Sequence, residues 1–368
     1  MTTARKLQIV HLDTGQELRG GQRQLFLLAR GLRQRGHTQL IVCPEGSEAE
    51  AQARQEGFAV FALPAHDPAH AHGILQLRQH LQAAPFEILH AHDGRGQTLA
   101  WLASLGMRVR RVASRRVAFL PRGPSSHRLK YAYTCHAVVA VSDFIRQLLV
   151  RAGVPESKIE VIPDGIDVPA ELPTAEARLR IRAQWGCGEG EFVIGHLGAF
   201  TSEKGQNVAL DAFVRLMAKL PHARLLLAGD GPTRTSRAIT DKVARAQGRA
   251  QLCGAIENLG EFFPALDLFV MPSRSEGLGS SALWAMAYGL PVLASNVGGL
   301  PEIVVEGETG WLVPPDSAAA LAEAIHIAAS DRARRSQLGQ NARARARQFS
   351  ADIMWERTEA LYYRLLPG

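Results

Sequence analysis

Short apolar runs rich in β-branched residues alternate along the chain with amphipathic stretches, and this alternation predicts parallel sheets covered by helices. In the first half the strand-like runs are KLQIVHL, TQLIVCP, FAVFALP, EILHAH, RRVASRRV, AVVAVS and IEVIP. Between the first two lies GQRQLFLLARGLRQRG, in which Leu25, Leu28, Ala29 and Leu32 recur at helical spacing. A looser proline-bearing stretch, DGIDVPAELPTAEA, interrupts the pattern, which restarts with EFVIGHLG, RLLLAGDG, AQLCG, LDLFVMPS and PVLASN. The expectation is α/β, with two Rossmann-like domains at 1–170 and 171–347. The pattern FSADIMWERTEALYYRLLPG adds a terminal helix over 348–368, for which the first domain is one candidate packing partner.

In open α/β sheets ligands sit beyond the carboxyl ends of the strands, so the loops after strands are the places to look. After the first strand, DTGQELRGGQRQ uses Gly20 and Gly21 to open a helix whose N–H groups and dipole suit an anion. In the second half, GAFTSEKGQN puts Lys204 just before a helix, where its point charge could meet a phosphate. AGDGPTR offers Gly229 and Gly231 for close backbone approach. The fourth loop, SRSEGLGSSALWAMAYGLP, carries Glu276 ahead of Gly277, Leu278 and Gly279, with Trp284 in the helix that follows.

That last loop contains G-x-G-x-x-A, a dinucleotide fingerprint. A nicotinamide or flavin site wants an acidic residue at the end of the next strand to hold ribose, but PVLASN ends in Ser295 and Asn296. Glu276 would also repel a pyrophosphate. It suits a sugar instead: its carboxylate accepts hydrogen bonds from hydroxyls, while the amides of Gly277, Leu278 and Gly279 stabilise a departing diphosphate.

Composition changes the picture little except in charge. The 368 residues are 46% apolar and 21% charged, ordinary for a globular protein. No apolar run approaches the roughly 20 residues needed to span a bilayer, and MTTARKLQIVHL lacks a signal-peptide pattern, so a cytoplasmic location is expected. The four cysteines are scattered and suggest neither disulfides nor zinc. The net charge of +7 is uneven, because no acid occurs between Asp93 and Asp143, where Arg108, Arg110, Arg111, Arg115, Arg116, Arg122, Arg128 and Lys130 accumulate. Nucleic acid would ask for more interleaved aromatics than Phe119, Tyr131 and Tyr133. An anionic membrane face or anionic substrate is the partner this block from Arg108 to Lys130 suggests, beside a merely solvated basic face.

In order along the chain, RGGQRQLFLLARGLRQRGH, ILHAHDG, VVAVSDFIRQLLVRAG, IEVIPDGID, LGAFTSEKGQ, LLLAGDGP, the Glu276 loop, VGGLPEIV and GETGWLVPP resemble the retaining glycosyltransferases of family 4 over nearly the whole length. The resemblance implies a GT-B fold, two Rossmann-like domains facing a cleft, with a nucleotide-sugar donor held mainly by the second and a glycan or lipid-linked acceptor by the first. It implies a metal-independent hexosyltransferase of lipopolysaccharide or exopolysaccharide type, without a cofactor, and no Asp-x-Asp occurs in the sequence. By the same resemblance Gly21 and Lys204 approach the donor phosphates and Glu276 contacts the transferred sugar; His92 and Arg115 are the acceptor-side candidates, with a buried hydrogen-bonded pair of His90 and His92 as the favoured alternative to a place in the cleft. Three positions depart from the pattern: the second glutamate of the E-x7-E motif is Trp284, the arginine ahead of the E-K-G stretch is Ala199, and the first-domain histidine aligns with Arg116. Arg116 cannot act as a base but can neutralise a leaving diphosphate. Trp284 either packs the helix face or forms an aromatic wall for the donor. The departures leave a non-catalytic sugar-nucleotide-binding protein of the same fold as the alternative reading.

Overall fold

A computed structural model describes residues 5–64, 71–118, 128–231 and 233–367. Phe119, Arg122 and the side chain of Arg128 lie outside that description. The chain divides into two units, one formed by the residues up to Gly165 and those from Ala351 onward, the other by Ile166–Ser350.

The first unit is built on a seven-stranded sheet, in the order β3-β2-β1-β4-β5-β6-β7. Its strands are β1 (Gln8–Leu12), β2 (Thr38–Pro44), β3 (Ala59–Leu63), β4 (Ile88–Ala91), β5 (Arg110–Arg115), β6 (Ala137–Ala140) and β7 (Ile159–Val161), all parallel. Helices cover both faces, so the central strands are buried throughout and read as continuous apolar runs instead of alternating ones. On one face Leu27, Leu28 and Leu32 of the helix Gly20–Gln34 join Met354, Leu361 and Tyr362 of the terminal helix Ala351–Leu365. These two helices meet closely because position 31 is glycine: a Cβ there would lie 2.0 Å from the Trp355 indole. The indole N–H of Trp355 also donates to the Leu27 carbonyl at 2.9 Å. The opposite face is filled by Val10, Leu12, Leu89 and Leu99 with their neighbours.

In the second unit six parallel strands run in the order β10-β9-β8-β11-β12-β13. They are β8 (Phe192–Leu197), β9 (Ala223–Ala228), β10 (Ala250–Gly254), β11 (Leu268–Met271), β12 (Val292–Ser295) and β13 (Gly310–Val313). Phe213, Leu225, Leu227, Val270, Leu293 and Ile325 are among the residues of its core. The chain enters and leaves this unit at one place, where Ile166 bridges Ser350 and donates its N–H to the Phe349 carbonyl at 2.9 Å.

Each sheet order reverses direction once, at β1/β4 in the first unit and at β8/β11 in the second. Such reversal points open a crevice beyond the carboxyl ends of the two diverging strands.

Candidate functional site

In the second unit the reversal point carries Lys204, after β8, and Glu276, after β11. Lys204 Nζ lies 2.6 Å from Glu276 Oε1, which also accepts from Ser273 Oγ at 3.0 Å. Glu276 Oε2 takes no hydrogen bond from the described residues. Gly205 makes this meeting possible: its φ is +71°, and a Cβ would lie 1.9 Å from the Pro272 carbonyl oxygen, so the Lys204 loop rests on the strand end that leads to Glu276. The Glu276–Gly279 loop is buried and backed by Gly298 and Gly299, whose Cβ positions fall 2.0 Å from the Glu276 carbonyl oxygen and 2.3 Å from that of Gly277. Gly279, with φ +106°, turns the chain into the helix Ser280–Ala287. Leu278 is buried among these turns.

Below the pair, His196 of β8 donates Nδ1–H to the Val270 carbonyl at 2.9 Å, and burial pushes its imidazole down to about 4, so it is neutral. Its Nε2 has no partner among the described residues. At Gly229 and Gly231 the close approach comes from the chain itself, since Cβ atoms there would lie 2.1 Å from the Gly198 oxygen and 2.5 Å from the Phe200 oxygen. Trp284 is half-buried, in line with Ser281 and Tyr288 on the less covered side of its helix, whereas Ala282, Leu283, Ala285 and Met286 face inward. Among the described residues its indole makes no ring contact.

In the first unit the reversal point gathers Asp13 after β1, His92 after β4 and, one strand further, Arg116 after β5. Behind them His11 and His90 face each other across β1 and β4. His11 Nδ1 meets His92 Nε2 at 3.0 Å and its Nε2 meets Gln39 Oε1 at 3.0 Å. His90 contacts Tyr362 Oη at 2.6 Å and Ser114 Oγ at 2.8 Å, and stacks on His92 with ring centroids 4.2 Å apart. Arg116 bonds Asp164 through Nε at 2.8 Å and lies 3.5 Å from His92 Nδ1 through Nη1. Burial, then the neighbouring rings and the Arg116 charge, push His90 and His92 well below the ordinary histidine value. The three imidazoles bring ligand-type nitrogens within 4.8 Å of one another, yet every one of those nitrogens already has a hydrogen-bonding neighbour that a metal ion would have to displace.

Asp13 receives Gly15 N–H at 2.8 Å and Gln22 Nε2 at 2.7 Å on Oδ1, while Oδ2 is buried with no partner among the described residues. Burial, reinforced by nearby Asp93, raises its carboxyl above the usual range. Asp13, Asp164, Gln39 and His11 escaped the sequence reading; position directly after the first strand was the available signal for Asp13. Gly20 and Gly21 begin their helix as expected, and beyond their chain neighbours and the backbone of their own helix no atom of the described residues lies within 4 Å of either Cβ position. Packing therefore gives no reason for glycine there.

The basic block is not the continuous surface its sequence suggested. Arg111 turns inward to the Thr134 carbonyl at 2.6 Å, Arg115 is buried against Tyr131, and Arg116 is held by Asp164. Of the described members Arg108 is exposed, and Arg110 and Lys130 are half-buried. Within β5 successive side chains point to opposite faces, which separates Arg110 from Arg111.

The two parallel sheets, each with a strand-end cluster at its reversal point, define a GT-B glycosyltransferase fold. The pattern of the glycosyl transferases group 1 matches residues 177–345 and that of glycosyltransferase family 4 matches 18–169. The chain belongs to these group 1, family 4 glycosyltransferases. It is 32% identical to the capsular polysaccharide biosynthesis glycosyltransferase CapM of Staphylococcus aureus, over 48% of this chain and 47% of that one. To a D-inositol 3-phosphate glycosyltransferase of Streptomyces avermitilis it is 26% identical, over 83% of this chain and 71% of the relative. The crystal structure of Anabaena Alr3699/HepE in complex with UDP and glucose superposes with a TM-score of 0.88 at 21% identity, covering 97% of this chain and 99% of that one.

Proposed function

We propose that the protein is a retaining, metal-independent hexosyltransferase that moves a sugar from a nucleotide-diphospho-sugar to a cell-surface glycan or glycolipid precursor of the lipopolysaccharide or exopolysaccharide type. The observation that carries this reading is the Lys204–Glu276 pair, 2.6 Å apart at the reversal point of the second sheet. A ligand bearing both a diphosphate and sugar hydroxyls answers both charges: the ammonium takes the phosphate, and the carboxylate accepts the hydroxyls. The amides of Gly277, Leu278 and Gly279 at the start of the Ser280–Ala287 helix supply further stabilisation of the departing diphosphate. Gly20 and Gly21, with open space above their backbone, serve as a second phosphate-facing helix start. The UDP and glucose held by HepE support the donor class, and the name of CapM supports the envelope-type acceptor. Among the described residues no helix is long and apolar enough to cross a membrane. Peripheral contact with the anionic cytoplasmic membrane face, through Arg108, Arg110 and Lys130, belongs to the same proposal.

The test is release of nucleoside diphosphate from a panel of UDP-, GDP-, ADP- and CMP-linked sugars by the full chain and by Glu276→Gln. The amide keeps the shape but removes the charge, so the variant should fold, bind nucleoside diphosphate and lose most turnover. Equal turnover of variant and parent would refute the role of Glu276. Tight binding without turnover by the parent would favour a sugar-nucleotide-binding protein.

A further inference from the structure

The buried polar chain behind Arg116 has a direction, and Gln39 sets it. The Gln39 amide nitrogen donates to the Ala29 carbonyl at 2.9 Å, so its oxygen faces His11 and can only accept. His11 therefore carries its proton on Nε2 and presents a lone pair at Nδ1. The partner of that lone pair, His92 Nε2 at 3.0 Å, must be the donor. His92 then presents its own Nδ1 lone pair to Arg116 Nη1 at 3.5 Å, and a guanidinium has only donors to give. Every bond from Arg116 through His92, His11 and Gln39 to the Ala29 carbonyl points the same way. Both imidazoles must be neutral for this, and burial provides it, holding His11 down at about 4 and His92 well below the ordinary value. On its other side the guanidinium is fixed by Asp164 through Nε at 2.8 Å.

We infer that Gln39, His11 and His92 form a one-way relay of neutral side chains that positions the Arg116 guanidinium for the transfer reaction. This rests on the glycosyltransferase reading above, in which Arg116 stands on the reacting side of the first unit. Arg116 touches the ligand; the other three act through it. Two contacts, one to a carboxylate and one to an imidazole lone pair, hold the planar fork in a single orientation. The Nη2 amino group takes no part in the relay and is the group left to meet a substrate oxyanion.

The relay makes a claim about protons that spectroscopy reads without any assay of activity. In long-range 1H–15N spectra of the full chain labelled with 15N-histidine, at about pH 7, His11 and His92 should each be neutral with the proton on Nε2. A proton on Nδ1 of either ring, or an imidazolium, overturns the relay. Gln39→Leu removes the acceptor that sets the direction, three hydrogen bonds away from the guanidinium, and should let His11 and His92 redistribute between tautomers. It should also lower kcat for donor hydrolysis about tenfold at unchanged KM, the effect of one misplaced hydrogen bond in the transition state. Unchanged tautomers in the variant, or unchanged kcat, overturns the positioning role. Gln39→Met, which keeps the side-chain length, replaces the leucine variant if that one does not fold. Should the parent hydrolyse no nucleotide sugar, the transferase reading fails, and the histidine spectra of parent and variant still decide the relay.

Discussion

Lowering the pH from 7 should destabilise the first unit steeply, well before carboxylates titrate in bulk. His11, His90 and His92 are neutral in the folded chain because burial disfavours their charged forms, and in the unfolded chain they return to about 6.5. Between that value and the depressed folded value the unfolded state binds more protons, so stability is fully present above about 6.5 and is lost as pH falls. For His11 alone, with a folded value of about 4, the loss between pH 7 and 5 is about 2 kcal/mol, and at pH 4 about 3 kcal/mol. His90 and His92 are displaced in the same direction and add to it. His136 of the same unit is likewise pushed down to about 4 by burial, so four protons taken up on unfolding correspond to a limiting slope of about 5.5 kcal/mol per pH unit, against a typical total stability of about 5 to 15 kcal/mol. Asp13 works with the opposite sign, since its raised carboxyl is favoured folded as pH falls, and it offsets part of this loss. Urea unfolding at steps between about pH 7 and 5, followed by amide exchange of the β1, β4 and β5 strands, measures the slope. Replacing His11 with Gln should make it shallower by about one proton, or about 1.4 kcal/mol per pH unit. A stability that stays flat from about pH 6.5 to 5, or an equal slope in parent and variant, would refute the argument that these rings are neutral by burial.

Lys204→Ala should weaken nucleoside-diphosphate binding by roughly 1.5 to 3 kcal/mol, the value of a charge-assisted hydrogen bond, in calorimetric titration. Equal affinity would make Lys204 a structural partner of Glu276 alone. Because Trp284 is half-buried on the less covered side of its helix, Trp284→Glu should cost under about 1.5 kcal/mol of stability and strengthen nucleotide binding if a ribose site is open there; a large fall in melting temperature with no gain in affinity would show that the indole supports the fold. Gly31→Ala places a methyl 2.0 Å from the Trp355 ring and should destabilise by about 1 to 3 kcal/mol, releasing the terminal helix first in exchange measurements.

Much of the architecture could be read from the sequence because its causes are local. Buried parallel strands are short apolar runs, and turns after strands need glycine, so the fold class and the loops of Lys204 and Glu276 were visible. Pairing is different, since sheet order decides it. Lys204 and Glu276 meet across 72 residues only because β8 and β11 are neighbours. Asp164, in the stretch that reads as a loose connection, neutralises Arg116, and Tyr362 reaches His90 from 272 residues away. Counting arginines along β5 likewise could not show that Arg111 and Arg115 would turn their guanidinium groups inside the protein.

The single crossing point at Ile166 and Ser350 has a consequence for how the chain is made. A ribosome releases residues in numerical order, so Ile166–Ser350 is complete while the first unit still lacks its terminal helix. The part synthesised second can therefore close first. Until Ala351–Leu365 has left the exit tunnel, Leu27, Leu28 and Leu32 have no partner on their outer side, and His90 has no Tyr362. A nascent chain of this kind holds an open apolar face through the synthesis of an entire inner unit, a period in which chaperone binding is most valuable. Loss of Ala351–Leu365 therefore damages a site whose other members, His90 among them, were translated long before it.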